Sequence, residues 1–290
     1  MNAAPRLDIH HEEQAQGGRF WAEPRPGLRC ELDYLFKAEG HIVFTHTGVP
    51  AELTGQGLAA QLVEAGLRWA APKARPIVPA CSYVASYLRR QPHWLRLLEP
   101  APVQEILNFW LGALSSDSDG QILASWFRKD ANFDAEVRQR FGHLIEQALN
   151  GALSGWNSPL ARLAQILLLD QFTRNGFRDS ARAFAGDAQA LRLALLLLDS
   201  GEHLQLSPLQ RWFAYLPLEH AEDLALQRRS VQCFEQLAAE QPTLAGALDY
   251  ARRHEAVIAR FGRFPHRNAL LGRPSSAEEL AYLAEPGAGF

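Results

Sequence analysis

The sequence predicts a multidomain chain, with an N-terminal α/β (α+β) domain over residues 1–98 and an all-α helical domain over residues 103–290. Three observations predict it. Up to about residue 98, short runs alternate apolar and polar residues and are interrupted by a stretch of helical spacing. Beyond residue 102 the apolar spacing is helical throughout, and no strand is convincing. Between the two lies Glu99-Pro100-Ala101-Pro102, read as a linker because each proline keeps its predecessor out of the helical region.

The elements follow in order. Arg29 to Phe36 alternates, with Cys30, Leu32, Tyr34 and Phe36 on one face of a strand. His41 to Thr47 repeats the pattern, with Ile42, Phe44 and His46 on one face and Val43, Thr45 and Thr47 on the other. A helix is expected from about Gly55 to Ala71, with Leu58, Leu62, Ala65 and Trp69 at helical spacing. Pro72 and Pro76 bound its exit, Ile77-Val78 reads as a short buried strand, and Ser82 as the N-cap of a helix running to about Arg90. In the second domain, one helical face is Leu160, Leu163, Ala164, Leu167 and Leu168, and another is Leu191, Ala194, Leu195 and Leu198. Val231, Phe234, Leu237 and Ala238 mark a third, and Tyr250, His254, Val257, Ile258 and Phe261 a fourth. Ser276 with Glu279 has the spacing of a capping box. Helices joined by short loops imply an antiparallel array.

Composition narrows the function. At 290 residues, 47% apolar and 21% charged, the chain can bury two cores and is not of disordered composition. Its net charge of −3 gives no attraction for nucleic acid or an anionic membrane. Cys30, Cys81 and Cys233 are too scattered for a disulfide framework or a zinc site, which fits a reducing compartment. No signal peptide is legible, and the apolar run around Ile166–Leu169 ends at Asp170, too short to span a bilayer. A cytoplasmic protein is expected; oligomeric state is not set by these features.

The chemistry concentrates in two stretches. One runs His46-Thr47-Gly48-Val49-Pro50-Ala51-Glu52-Leu53-Thr54-Gly55-Gln56-Gly57-Leu58-Ala59, and the other is Pro79-Ala80-Cys81-Ser82-Tyr83-Val84. Small residues between a strand and a helix let backbone N–H groups approach an anion at the helix start. Histidine is the side chain most used for general acid–base work near neutral pH, which makes His46 a candidate, and a thiol just before a helix is biased toward thiolate. The order strand, Val49-Pro50, Gly-x-Gly, helix, strand, Cys81, helix resembles the minimal, stand-alone GCN5-related N-acetyltransferases over residues 7–98. The resemblance implies acetyl-coenzyme A as cofactor. It places the pantetheine and pyrophosphate on the backbones of Val49, Gly55, Gln56, Gly57, Leu58 and Ala59, and His46 and Cys81 by the thioester as catalytic residues. Two departures stand out: Gly48 replaces a common acid, and Thr54 a frequent basic residue. Losing the latter removes one charge-assisted hydrogen bond, worth about 1.5–3 kcal/mol.

The second domain carries Leu168-Leu169-Asp170-Gln171-Phe172-Thr173-Arg174-Asn175, Tyr215-Leu216-Pro217-Leu218-Glu219-His220-Ala221-Glu222 and Arg260-Phe261-Gly262-Arg263-Phe264-Pro265-His266-Arg267-Asn268. With Trp126-Phe127, Phe133-Asp134 and Leu271-Gly272-Arg273, these stretches resemble a bacterial family known only as domain-of-unknown-function family 924, which implies a tetratricopeptide-like helical fold and no stated reaction. Asp170, Arg174, Asn175, Glu219, His220, Glu222, Arg263, His266, Arg267 and Asn268 form either an internal network that fixes helix packing or a second, polar site. His220, Glu222 and His266 lack a compact metal-ligand spacing, so no metal is expected. Trp110, Trp126, Trp156 and Trp212 are expected as core anchors, with no basic stripe beside them for nucleic acid. The leading expectation is an N-acetyltransferase acting on an amine, a small molecule or a protein, with the helical domain recognising substrate or a peptide partner. The alternatives are a non-catalytic acetyl-coenzyme A-binding scaffold and an unrelated activity in the helical domain.

Overall fold

The computed structural model describes residues 6–38, 40–73, 75–114, 121–123, 126 and 128–289. Contacts divide the chain into two compact units, Met1–Gln121 and Ile122–Phe290.

The first unit is built on one five-stranded sheet in sequential order: β1 (His10–Gln14), β2 (Gly17–Arg25), β3 (Leu28–Phe36), β4 (Ile42–Gly48) and β5 (Ile77–Pro79). The first four strands are antiparallel, and β5 joins β4 in parallel. A parallel neighbour needs a crossover, which helix α1 (Leu58–Ala70) supplies; α2 (Ser82–Arg90) follows β5. One face of the sheet buries Phe20, Cys30, Leu32, Tyr34, Ile42 and Phe44 beneath Leu58, Leu62 and Leu67 of α1. Ala65 and Trp69 only flank that core. The prolines at 100 and 102 start a helix, α3 (Ala101–Leu111), where the absence of an N–H costs nothing. Gln104 donates to the Glu99 carbonyl at 2.7 Å and Arg96 to the Gly112 carbonyl at 2.7 Å, so this helix is tied to the turn before it.

One irregularity decides where side chains point. Asp33 pairs with His46 but Tyr34 pairs with Phe44, leaving Thr45 as an extra residue, a β-bulge in β4. Simple alternation places His46 with Phe44. The inserted residue reverses the phase: Thr47, opposite Leu32, joins the core face, and His46, opposite Asp33, lies exposed on the other.

The second unit is helical: α4 (Ala131–Leu149), α5 (Pro159–Ile166), α6 (Thr173–Gly176), α7 (Asp187–Asp199), α8 (Pro208–Glu219), α9 (Leu224–Glu240), α10 (Ala245–Phe261) and α11 (Ala277–Leu283). Among the described residues no strand follows Pro79, and no helix is long and apolar enough to cross a membrane. Side-chain caps at Asp130, Ser158, Ser207 and Asp223 fix the starts of α4, α5, α8 and α9, and the Ser276–Glu279 capping box starts α11. Helix α7 buries Ala190, Ala194 and Leu197, a stripe offset from Leu191, Leu195 and Leu198, which stay half-buried. Tyr250 is 53% exposed, outside the buried face that His254, Val257 and Ile258 form on α10. Trp110 and Trp126 are buried, Trp156 and Trp212 partly so, and Phe127 lies outside the described residues. Between α5 and α6, Leu167–Phe172 widens into a π-turn.

Candidate functional site

The sheet of the first unit opens along one seam. β4 and β5 pair only through Ile42–Ile77, Val43–Val78 and Phe44–Pro79, and the Cys81 N–H donates to the Phe44 carbonyl at 2.9 Å beyond them. β4 runs on to Gly48 with no β5 partner. Cys81 stands at this opening with extended backbone angles (φ −74°, ψ 127°) as the residue preceding α2, so the thiol, rather than Ser82, occupies the N-cap position. Its sulfur is half-buried and 3.4 Å from the Thr47 hydroxyl. Burial raises the thiol's pKa, but the Thr47 hydroxyl and the Val84 and Tyr83 amides together outweigh it and bring the thiol below its ordinary value.

A turn of tight backbone lies between β4 and α1. Val49-Pro50 leads into a 3₁₀ turn at Ala51–Leu53, closed by the Thr54 hydroxyl donating to the Pro50 carbonyl at 3.4 Å. Gly55 and Gly57 have φ of 79° and 73°, which favours glycine at both, and no atom lies within 4 Å of where a Cβ on Gly55 would sit, so there backbone conformation alone requires glycine. Gly57 is the N-cap of α1 and offers no side chain to its first turn. The Leu58 and Ala59 amides therefore begin a helix with no side-chain cap, the arrangement that receives an anion.

His46 lies on the opposite face of the sheet, in the company of Glu31, Asp33 and Arg19. Gly48 pairs with Glu31. A Cβ on Gly48 would stand 3.1 Å from His46 Nε2, 3.2 Å from Glu31 Cγ and 3.5 Å from Glu31 Oε1. A carboxylate thus already occupies the space beside His46 that an acid at position 48 would take, donated by the neighbouring strand. Arg19 holds it at 2.9 Å. Glu31 is invisible as a site residue in the sequence because only strand register brings it to Gly48.

In the helical unit, Asp170 sits on the π-turn and is fully buried. It accepts from His220 Nδ1 at 2.6 Å and from Gln171 Nε2 at 2.6 Å, and Arg174 lies 3.1 Å away. Burial opposes its charge, yet Arg174 and His220 hold the carboxyl far below the usual carboxylate range. Asp187, in the first turn of α7, joins Arg174 at 3.0 Å and Arg267 at 3.2 Å. Gly186 makes this approach possible, since a Cβ there would meet the Leu169 carbonyl at 2.2 Å.

Beside this network lie Glu219, at the end of α8, and His254. Burial and the nearby Asp170 push Glu219 up to about 8; burial and His220 push His254 down to about 3. Glu219 Oε1 is 3.1 Å from His254 Nδ1, which is also 2.9 Å from the Tyr250 carbonyl. His266 is lowered to about 4, by burial first and by Arg267 second.

Of the polar residues singled out in sequence, Asp170, Arg174, Glu219, His220 and Arg267 converge here, with His266 close enough to feel their charges. The others serve separate networks. Asn175 and Arg178 hold Asp134, at 2.9 and 2.7 Å. Arg263 pairs with Glu279, and Asn268 bridges Ser275 and Arg273, whose guanidinium also pairs with Glu222. Asp187 and His254 were missed; His254 had the spacing of an apolar core position.

A family model described as GCN5-related N-acetyl-transferase matches residues 19–97, which makes the first unit an acetyltransferase-like domain. The model described as bacterial protein of unknown function (DUF924) matches residues 106–287, and the chain belongs to that family. Among solved structures it is similar to a protein of unknown function from Agrobacterium tumefaciens, at 37% identity and a TM-score of 0.54, over 63% of this chain and 97% of that one.

Proposed function

We propose that the first unit is an acetyl-coenzyme A-dependent N-acetyltransferase for an amine, small molecule or protein, and that the helical unit selects the substrate or partner. The observation that carries this reading is the Cys81 thiol at the end of the β4–β5 pairing, lowered in pKa and facing Thr47 on the core side of the sheet. The uncapped start of α1 fits a pyrophosphate, and the backbone at Val49, just past the end of β4, fits pantetheine. Val49, Gly55, Gln56, Gly57, Leu58 and Ala59 would hold the coenzyme through their backbones. When bound, it supplies an acetyl group activated as a thioester.

The chain's own residues account for the rest. Cys81, with the Thr47 hydroxyl beside its sulfur, would be the nucleophile that takes the acetyl group as a new thioester, the coenzyme thiolate it displaces taking a proton from solvent. The acceptor amine then attacks acetyl-Cys81, its proton passes to His46, and the Cys81 thiolate is restored. The bulge at Thr45 divides the labour: thiol on one face, imidazole on the other, with the opening of the strands between. Glu31 beside His46 supplies the carboxylate that Gly48 cannot. Gly48 is also what favours the competing reading, a scaffold that holds acetyl-coenzyme A without consuming it.

The test is calorimetric titration of acetyl-coenzyme A into the full chain, followed by release of coenzyme thiol with a panel of amines. Saturable binding with turnover supports the enzyme; binding without turnover supports the scaffold; absence of binding removes both.

A further inference from the structure

We propose that Glu219, His220 and His254 hold a divalent transition-metal ion of the zinc class in the helical unit. No spacing in the sequence announces this, because Glu219 and His220 end α8 whereas His254 lies on the buried face of α10. Packing brings one donor atom from each within 4.8 Å of the others. Bond lengths of about 2.0–2.2 Å set tetrahedral donors roughly 3.4 Å apart, so side-chain rotation has to close the longest separation by roughly 1 Å.

Three further observations point to a cation. Glu219 Oε2 is buried with no hydrogen-bond partner, and such an atom costs free energy unless something positive faces it. Asp170 engages His220 Nδ1 at 2.6 Å, which leaves Nε2 as the lone-pair nitrogen; a carboxylate behind an imidazole is how ligating histidines are held and made more basic. Charge balance gives the third. Asp170 and Asp187 are met by Arg174 and Arg267, so an ionised Glu219 is the surplus negative charge of the cluster. The two imidazole nitrogens and single carboxylate suit Zn²⁺, Co²⁺ or Ni²⁺, whereas Mg²⁺ and Ca²⁺ prefer all-oxygen cages. With three protein ligands, a fourth position stays open for water or a substrate atom.

The experiment uses the full chain, stripped by a chelator and titrated with Zn²⁺ at pH 7. One ion per chain should bind. Glu219→Gln and His254→Gln should each weaken binding by at least the roughly 10–100-fold expected for Asp170→Asn, which only disturbs the orientation of His220. Absence of saturable uptake overturns the proposal, as does uptake that Glu219→Gln and His254→Gln leave unchanged. Should those variants fail to fold, the unaltered chain still decides. An intense Co²⁺ visible spectrum supports the site, and a weak, aquo-like spectrum excludes it. Neither result bears on acetyl-coenzyme A binding.

Discussion

The polar groups of the sheet unit and those of the helical unit meet their surroundings in opposite ways. Cys81 is half-buried and His46 exposed, each with few partners, and the space where a Cβ on Gly55 would sit is open. Asp170, Glu219 and His254 are sealed among ion pairs whose members shift one another's protonation. The first arrangement leaves chemistry accessible at little cost in stability. The second ties stability to charge, because a buried ion loses hydration that only its partners replace. Substitutions should therefore separate activity from stability in one unit and merge them in the other.

The largest expected effect is Cys81→Ala, which should abolish turnover while the coenzyme titrates and the urea midpoint stays in place; full activity would rule out an acetyl-cysteine relay. His46→Ala comes next, lowering the rate by about 10²–10⁴-fold at neutral pH. The pH–rate profile checks it, and a profile identical to that of the parent removes His46 from the proton path. In the helical unit, Asp170→Ala leaves His220 and Arg174 beside an uncompensated site and should cost about 3–5 kcal/mol in urea unfolding. A loss below 1 kcal/mol on the same measurement would break the contrast between the units.

Glu219 and His254 sharpen it further. From ordinary values of 4.5 and 6.5, folding raises Glu219 to about 8 and lowers His254 to about 3. Between pH 4.5 and 6.5 the unfolded pair carries its one proton on His254 and the folded pair carries one on Glu219, so their contributions to the pH slope cancel. Above pH 6.5 the folded pair holds one proton more than the unfolded pair, and metal-free stability should fall by about 1.4 kcal/mol per pH unit until about 8. Below 4.5 the unfolded pair holds the extra proton, and stability falls on acidification toward 3. Chemical denaturation of the chelated chain across this range measures both limbs, and Glu219→Gln should erase the alkaline one. The smallest effect is expected for Gly57→Ala, about 1–2 kcal/mol from the left-handed backbone alone, with a weaker coenzyme titration.

The sheet unit was largely legible because its site is local in sequence: residues 46–59 fix the turn and Cys81 follows one crossover later. Strands β1 and β2 were not marked. All of β1 is exposed, so no alternation betrays it, and β2 opens on Gly17-Gly18, which dilutes its pattern. In the helical unit the residue types were recognisable but their grouping was not. Asn175, Arg263 and Asn268 share motifs with Asp170 and His220 yet serve other contacts, while Asp187 and His254 arrive from helices with no motif at all. Helical spacing reports which face is buried, not which faces meet.

The bulge at Thr45 has a consequence for heredity. In most of a strand, losing one codon sends every residue beyond it to the other face. Here the loss of Thr45 would remove only the residue that has no partner on β3, and leave a regular ladder with Ile42, Phe44 and Thr47 in one phase and Val43 and the imidazole in the other. A single in-frame deletion there would keep the two chemical sides of the sheet as they are. It is the one point of the strand where the gene can shorten without turning the thiol's neighbour away from it.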